Sequence, residues 1–223
     1  MDRRGSWSTA QWAAACRGVA GPCPALPHDQ GHFRDELGHR RSVDGPFFRW
    51  RRRRAGAPAC TPADHADQFP DAGVDVALWR ALASDSDGRA PVVASNDGPL
   101  IPPGSTRTVE VWTETELGAL HALGWLAVRS ARPAWLERAR AAARWHLVHT
   151  QPDNATNRPW AVGVFAHLHA SEKTAEARLF AETLLHNCQI TMGGADLLSR
   201  HILHDAADWL DAVGSLAPTG RVR

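Results

Sequence analysis

The sequence contains no tyrosine, only two methionines and four cysteines, and all but one of its 25 basic residues are arginine. Each scarcity closes off a class of reading. Cys16, Cys23, Cys60 and Cys188 are scattered and none forms a C-x-x-C pair, so neither a zinc site nor a disulfide framework is indicated. There is no Walker A string, no G-x-G-x-x-G after a strand, no G-x-S-x-G and no H-E-x-x-H. Phosphate-cradling loops, nucleophile elbows and zinc-protease helices are therefore unsupported. The longest apolar run, Leu117–Val128, spans 12 residues and is broken by His121, short of the roughly 20 needed to cross a bilayer. The basic start MDRRGSWS is not followed by the apolar stretch of a secretory leader. These absences predict a soluble, cytoplasmic chain with no membrane partner, no metal site and no cofactor.

What is present is an ordinary globular balance, 43% hydrophobic and 22% charged over 223 residues, which suits one domain or one domain with a tail. The charge is unevenly spread. Residues 1–60 hold 11 Arg against 5 acids, and the remainder holds 14 basic residues against 19 acids. The near-exclusive use of Arg, with abundant Ala, reads as a coding bias and weakens any argument from arginine richness. Residues 1–70 are rich in Pro, Gly, Arg and His without sustained periodicity, and read as an irregular, disorder-prone basic segment with a short helix at Ser8–Arg17. Within it, PFFRWRRRR (Pro46–Arg54) sets aromatics beside cations as nucleic-acid contacts do. A solvated charge run explains it more simply, so nucleic acid is an unlikely partner. Residues 71–104 read as a short helix, Val74–Ala83, and a long loop with a candidate strand at Pro91–Ala94.

From residue 105 to 215 the pattern becomes helical, followed by a tail at 216–223. Thr113-Glu-Thr-Glu116 matches a capping box before an apolar run to Arg129. Pro133 suits the first turn of a second helix reaching His149. Asn157 and Pro159 open a third helix, Trp160–His169. Ser171 caps a fourth, reaching Gln189. Gly193-Gly194 breaks the chain before a fifth, Ala195–Val213, with Gly214 in the C′ position. Leu117–Val128 and Trp160–Ala166 are apolar on all sides and must be enclosed. The second and fourth helices are amphipathic, through Leu136, Ala139, Ala143 and Leu147 and through Phe180, Leu184 and Cys188. A simple four-helix bundle gives every helix one wet face; enclosed and half-buried helices in alternation instead suit a double-layered helical array. The fold class is all-α: antiparallel helical hairpins after an irregular N-terminal segment.

One stretch carries a family resemblance. Trp145-His-Leu-Val-His-Thr-Gln-Pro-Asp-Asn154, then Thr156-Asn-Arg-Pro-Trp160 and the all-apolar AVGVF, resembles a repeat of the α/α toroid proteins, above all the six-hairpin glycosidase-like superfamily. There an outer helix ends in an aromatic-rich turn, and a polar loop with Pro-Trp opens an inner helix. The resemblance covers about 100 residues and rests on pattern rather than on a catalytic string. It implies a partial toroid-like array, since a full toroid needs twelve helices and five or six are legible here. It also implies an association with carbohydrate metabolism. The family's catalytic carboxylates cannot be carried onto particular positions.

In consecutive antiparallel hairpins the first, third and fifth helices start at the same end. Three segments should therefore converge on one rim: Thr108–Glu116, Pro152–Trp160 and Thr191–Asp196. They supply Glu110, Glu114, Glu116, Asp153 and Asp196 as carboxylates, Asn154, Asn157 and Arg158 as hydrogen-bonding groups, and Trp112 and Trp160 as flat apolar faces. Carboxylates beside exposed tryptophan suit a sugar site, the ring stacking on the sugar and the polar groups addressing hydroxyls. The candidate catalytic residues are Glu114, Asp153 and His121; the candidate substrate-binding residues are Trp112, Asn157, Arg158 and Trp160. The plainer roles are equally physical. Acids complement helix N-termini, Thr113 and Asn157 act as caps, and the tryptophans fill the core.

Eight of the 12 histidines lie between His121 and His204. His146/His149 and His201/His204 are spaced i, i+3, but no third ligand with zinc geometry is apparent. His121, alone in an enclosed helix, reads first as a hydrogen-bonded core histidine. The fifth helix carries a polar side, Arg200, His201, His204, Asp205 and Asp208, expected to face solvent. No motif decides between catalysis and binding. The leading expectation is a carbohydrate-associated protein, binding sugar or acting as a weak glycosidase or lyase. The alternatives are a non-catalytic helical-repeat module that binds a protein partner or its own copy, and nucleic-acid association through the basic N-terminal segment.

Overall fold

The computed structural model describes residues 7–26, 44–56, 73–84, 97–103, 108–150, 158–190 and 196–216. The candidate strand at 91–94 and the candidate residues Asp153 and Asn157 lie outside them. Among the described residues there are eight α-helices and no strand: α1 (Thr9–Ala20), α2 (Asp44–Arg54), α3 (Val74–Ala83), α4 (Val109–Arg129), α5 (Pro133–His149), α6 (Val162–Glu172), α7 (Ala175–Ile190) and α8 (Leu197–Leu216).

Hairpins organise the chain. The turn between α4 and α5 is a Schellman closure, with Arg132 N–H donating to the Ala127 carbonyl and Ala131 N–H to that of Val128. Its left-handed residue is Ala131 (φ 48°) rather than glycine. Lys173, also left-handed (φ 61°), ends α6, and α7 begins two residues later. The third pairing joins the two ends of the described chain: α1 packs along α8. Thr9 stands beside Gly214, while the Ala20 carbonyl accepts from Arg200 Nε at 2.9 Å, so the two helices run antiparallel.

Helices α4, α6 and α8 contact one another inside this set. His121, Ala161 and Asp205 meet in one layer. In the next, Trp209 packs on the glycines Gly124 and Gly163. Residue numbers rise in the same direction on all three helices, so the three run parallel. The glycines are needed for close approach: a β-carbon at Gly163 would stand 3.1 Å from the Trp209 ring and 3.4 Å from the Ala206 carbonyl. Helices α5, α7 and α1 lie outside this trio and bury one face each, matching the alternation of apolar and amphipathic stretches in the sequence.

Several boundaries differ from the sequence expectation. Helix α4 begins at Val109 with Thr108 as cap, so Thr113 and Glu116 sit in its interior and Glu116 caps nothing. Helix α6 runs through Ser171, whose hydroxyl donates to the carbonyl of His167 at 2.9 Å. Gly214 lies within α8, where a β-carbon would stand 2.8 Å from Thr9 Oγ1. Tertiary packing overrides the local stop signal in that case.

The largest correction concerns residues 1–70. Their described parts are two packed helices: α1, which bears out and extends the short helix expected from Ser8, and α2, which stands where an irregular, solvated charge run was expected. Helix α1 starts at a capping box between Ser8 and Gln11 and buries Trp12, Ala13, Cys16 and Ala20. Helix α2 is the PFFRWRRRR stretch, and Phe47, Phe48 and Trp50 enter the core. Each buried aromatic contributes about 1.5–3 kcal/mol. Phe47 packs edge-on to Trp79 of α3 and to Trp160, at 5.2 and 5.1 Å.

Candidate functional site

The sequence candidates separate into two buried polar centres. The first surrounds Asp205, fully enclosed on α8. Its Oδ1 accepts from Arg54 Nη1 at 2.9 Å and Arg51 Nη1 at 3.2 Å, and its Oδ2 from Trp125 Nε1 at 2.6 Å and His121 Nε2 at 3.1 Å. On the other side of the His121 ring, Nδ1 faces the Ala161 amide at 3.4 Å. That amide can only donate, so Nδ1 accepts and the ring proton resides on Nε2, pointing at Asp205. Ala161 holds this amide in place with a left-handed backbone (φ 58°), a conformation that disfavours any side chain. Burial alone would push the Asp205 carboxyl up. The hydrogen bond from His121 and the charges of Arg51 and Arg54 overcome this and hold it well below the usual carboxylate range.

The network continues outward. Asp208 pairs with Arg17 of α1 at 3.1 Å and with Arg54 and Arg51 of α2 at 3.2 and 3.5 Å, and Arg17 reaches Asp211 at 2.6 Å. The polar side of α8, expected to face solvent, thus faces α1 and α2, because their arginines neutralise it. His201 is also enclosed, edge-on to Phe48 at 5.0 Å. Burial and the nearby Arg51 depress its pKa to about 4, so it is neutral near pH 7.

The second centre belongs to the expected rim. Glu114 and Arg158 converge at 3.7 Å, as the shared end of α4 and the approach to α6 require. Glu116, fully buried, accepts the amides of Leu100 and Ile101 at 2.7 Å each, with His146 Nε2 3.5 Å away. Trp112 Nε1 donates to the Ile101 carbonyl at 3.1 Å, and Arg138 donates to the Gly98 and Pro99 carbonyls. Segment 97–103 is thereby fastened across α4 and α5. The two tryptophans expected on the rim are not open faces: Trp112 is 7% exposed and Trp160 fully enclosed. Trp160 packs edge-on to His121 at 5.6 Å and so belongs to the first centre. Sequence reasoning placed Asp205 in helix five without a partner. It missed Arg51, Arg54 and Trp125, whose contacts with Asp205 span sequence separations of 154, 151 and 80. The available signal was that Asp205 has the apolar Ile202, Ala206 and Trp209 as helical neighbours on one side.

Among the described residues, an open feature accompanies these closed centres. A groove of about 390 Å³ lies where the α4–α5 turn meets the end of α8. Its lining includes Ala127, Val128, Pro133, Leu136 and Leu216, with Arg132 among its charged members. Leu216 is 53% exposed. The Arg132 guanidinium lies 4.5 Å over the Trp135 ring, and Arg140 is taken up by Glu137 and His167. No described helix is long and apolar enough to cross a membrane, and no group of three metal-ligating side chains occurs among the described residues.

Fold and site together define an all-helical protein of antiparallel hairpins with a closed ionic core. Comparison with protein-family models, curated proteins and solved structures finds no match in any of the three.

Proposed function

We propose that this chain is a non-catalytic helical-hairpin module that seats an apolar segment of a protein partner in the α4–α5–α8 groove. The observation that carries this reading is the groove itself, an open apolar concavity of about 390 Å³ with Arg132 among its lining residues. That volume is within the range of small-molecule pockets, roughly 300–1,000 Å³, and so takes a short apolar stretch of a partner rather than a broad interface. An apolar anchor complements the groove's floor, at whose margin Arg132, Arg140 and Glu137 lie. The chemistry-bearing groups elsewhere support binding over catalysis. Asp205 is held ionised and saturated with donors, and both ring nitrogens of His121 are engaged, so neither of these two residues is a free general acid or base. The arginines of α2 that would serve nucleic acid include Arg51 and Arg54, which are spent on Asp205.

The hairpins further support a partial α/α toroid-like array. Its inner helices are the parallel α4, α6 and α8, and its outer helices α5, α7 and α1. A second reading, carbohydrate association at the rim, is favoured by two observations near the start of α4: the approach of Glu114 to Arg158, and the packing of Trp112 on the half-buried Trp145.

The test compares the full chain with Leu136→Arg and Leu216→Asp in capture from a native extract, with each captured protein then purified and titrated. A purified partner that loses at least tenfold in affinity for both variants supports the groove. Partners that bind all three forms equally would refute it. A glycan array on the full chain and on Trp145→Ala decides the second reading: sugar binding abolished by the substitution supports it, and silence across the array removes it.

A further inference from the structure

We infer that Trp50, Trp125, Asp205 and Asp208 form a guanidinium-binding cage that accepts an arginine side chain in trans, and that Arg54 is its resident occupant. The Arg54 Cζ atom lies 4.2 Å over the Trp125 ring and 5.8 Å from that of Trp50, the two indoles meeting at 63°. One nitrogen of the same guanidinium, Nη1, meets both Asp205 Oδ1 at 2.9 Å and Asp208 Oδ2 at 3.2 Å. The carboxylates would accept from any cationic nitrogen; the contact with the Trp125 indole is what favours the weakly hydrated, delocalised guanidinium over the compact, strongly hydrated ammonium.

The cage is braced independently of Arg54. Trp125 Nε1 donates to Asp205 Oδ2, fixing indole and carboxylate to each other, and His121 holds the same oxygen from the other side. Oδ1 is therefore left pointing at the cation. Arg51 also binds Oδ1, at 3.2 Å, and Arg17 and Arg51 both reach Asp208, so the carboxylates stay partly neutralised when Arg54 leaves.

Arg54 is the replaceable member. It is the last residue of α2, and its side chain is 26% exposed. Phe47, Phe48, Trp50 and Arg51 continue to anchor the helix without it. Rotation of one terminal side chain opens the site, and an arginine presented by a ligand then takes the same contacts. In the native chain Arg54 competes at the high local concentration of a tethered group, so trans binding is weak until it is displaced.

The experiment titrates full-length Arg54→Ala with N-acetylargininamide, free arginine and N-acetyllysinamide, reading tryptophan fluorescence and the thermal midpoint. Saturable binding of N-acetylargininamide at least tenfold tighter than to the wild-type chain, and at least tenfold tighter than N-acetyllysinamide, is the expected result. Asp208→Asn in the same background should weaken it. Free arginine binding as well as the amide identifies a small guanidine as ligand, and weaker binding identifies an arginine within a peptide. A folded Arg54→Ala chain that saturates with none of these compounds, or does not distinguish arginine from lysine, overturns the inference. Should Arg54→Ala fail to fold, Arg54→Gln, which keeps the stem over Trp125, is titrated against the same compounds with the same two outcomes.

Discussion

Replacing Asp205 with Asn preserves the shape of the side chain and removes its charge. All four partners of the carboxylate are donors: two guanidiniums, the indole of Trp125 and the Nε2 proton of His121. Asn offers one accepting oxygen and one NH2, so whichever way it turns, one pair of donors faces another donor. Arg51, at 9% exposure, is left as a buried cation without its main counter-charge. Removing one member of a buried ion pair costs about 3–5 kcal/mol. In a chain of this size that corresponds to a fall in Tm of about 6–20 °C. Urea and thermal unfolding of Asp205→Asn beside the wild-type chain measure it. Asp208→Asn, whose side chain is 35% exposed, is the control and should lose less than about 1 kcal/mol. The pH dependence supplies a second check. The folded carboxyl sits below its unfolded value, so its stabilisation is fully present above the unfolded pKa, about 3.9. It is lost as pH falls from there through the folded value. Wild-type stability should decline below about pH 4, and Asp205→Asn should show a flatter decline. A loss of less than about 1 kcal/mol near pH 7, with unchanged acid dependence, would refute the claim that this charge organises the core.

Three further outcomes follow from the packing. Lys173 and Ala131 hold left-handed backbone at exposed turn positions. Glycine at either should stabilise the chain by about 0.5–1 kcal/mol net of its unfolded-state entropy, measurable by urea titration. Gly163→Ala places a methyl 3.1 Å from the fully packed Trp209 ring and 3.4 Å from a backbone carbonyl. Overpacking should outweigh the gain in helix propensity, leaving a net loss of about 1–2 kcal/mol in the same assay. Cys23 is exposed, whereas burial pushes the thiols of Cys16 and Cys188 up to about 12. Iodoacetamide at pH 8 with peptide mapping should label Cys23 in the native chain, and Cys16 and Cys188 only after unfolding.

The sequence by itself determined the all-helical class, the α5 bounds from Pro133 to His149, and the alternation of enclosed and half-exposed helices. These are local properties: hydrophobic period, proline placement and turn chemistry act within one or two helical turns. It also implied the approach of Glu114 to Arg158, because hairpins that fold back on themselves bring alternate helix starts together. Tertiary structure decided what those residues do. Trp112 and Trp160 read equally well as open faces or core until segment 97–103 and α2–α3 are packed over them. The arginines of Pro46–Arg54 look like a solvated run because their counter-charge, Asp205, lies some 150 residues away in the chain. Composition cannot register that distance. A buried charge is tolerated only when its partner arrives, and the partner's arrival is a property of the whole fold.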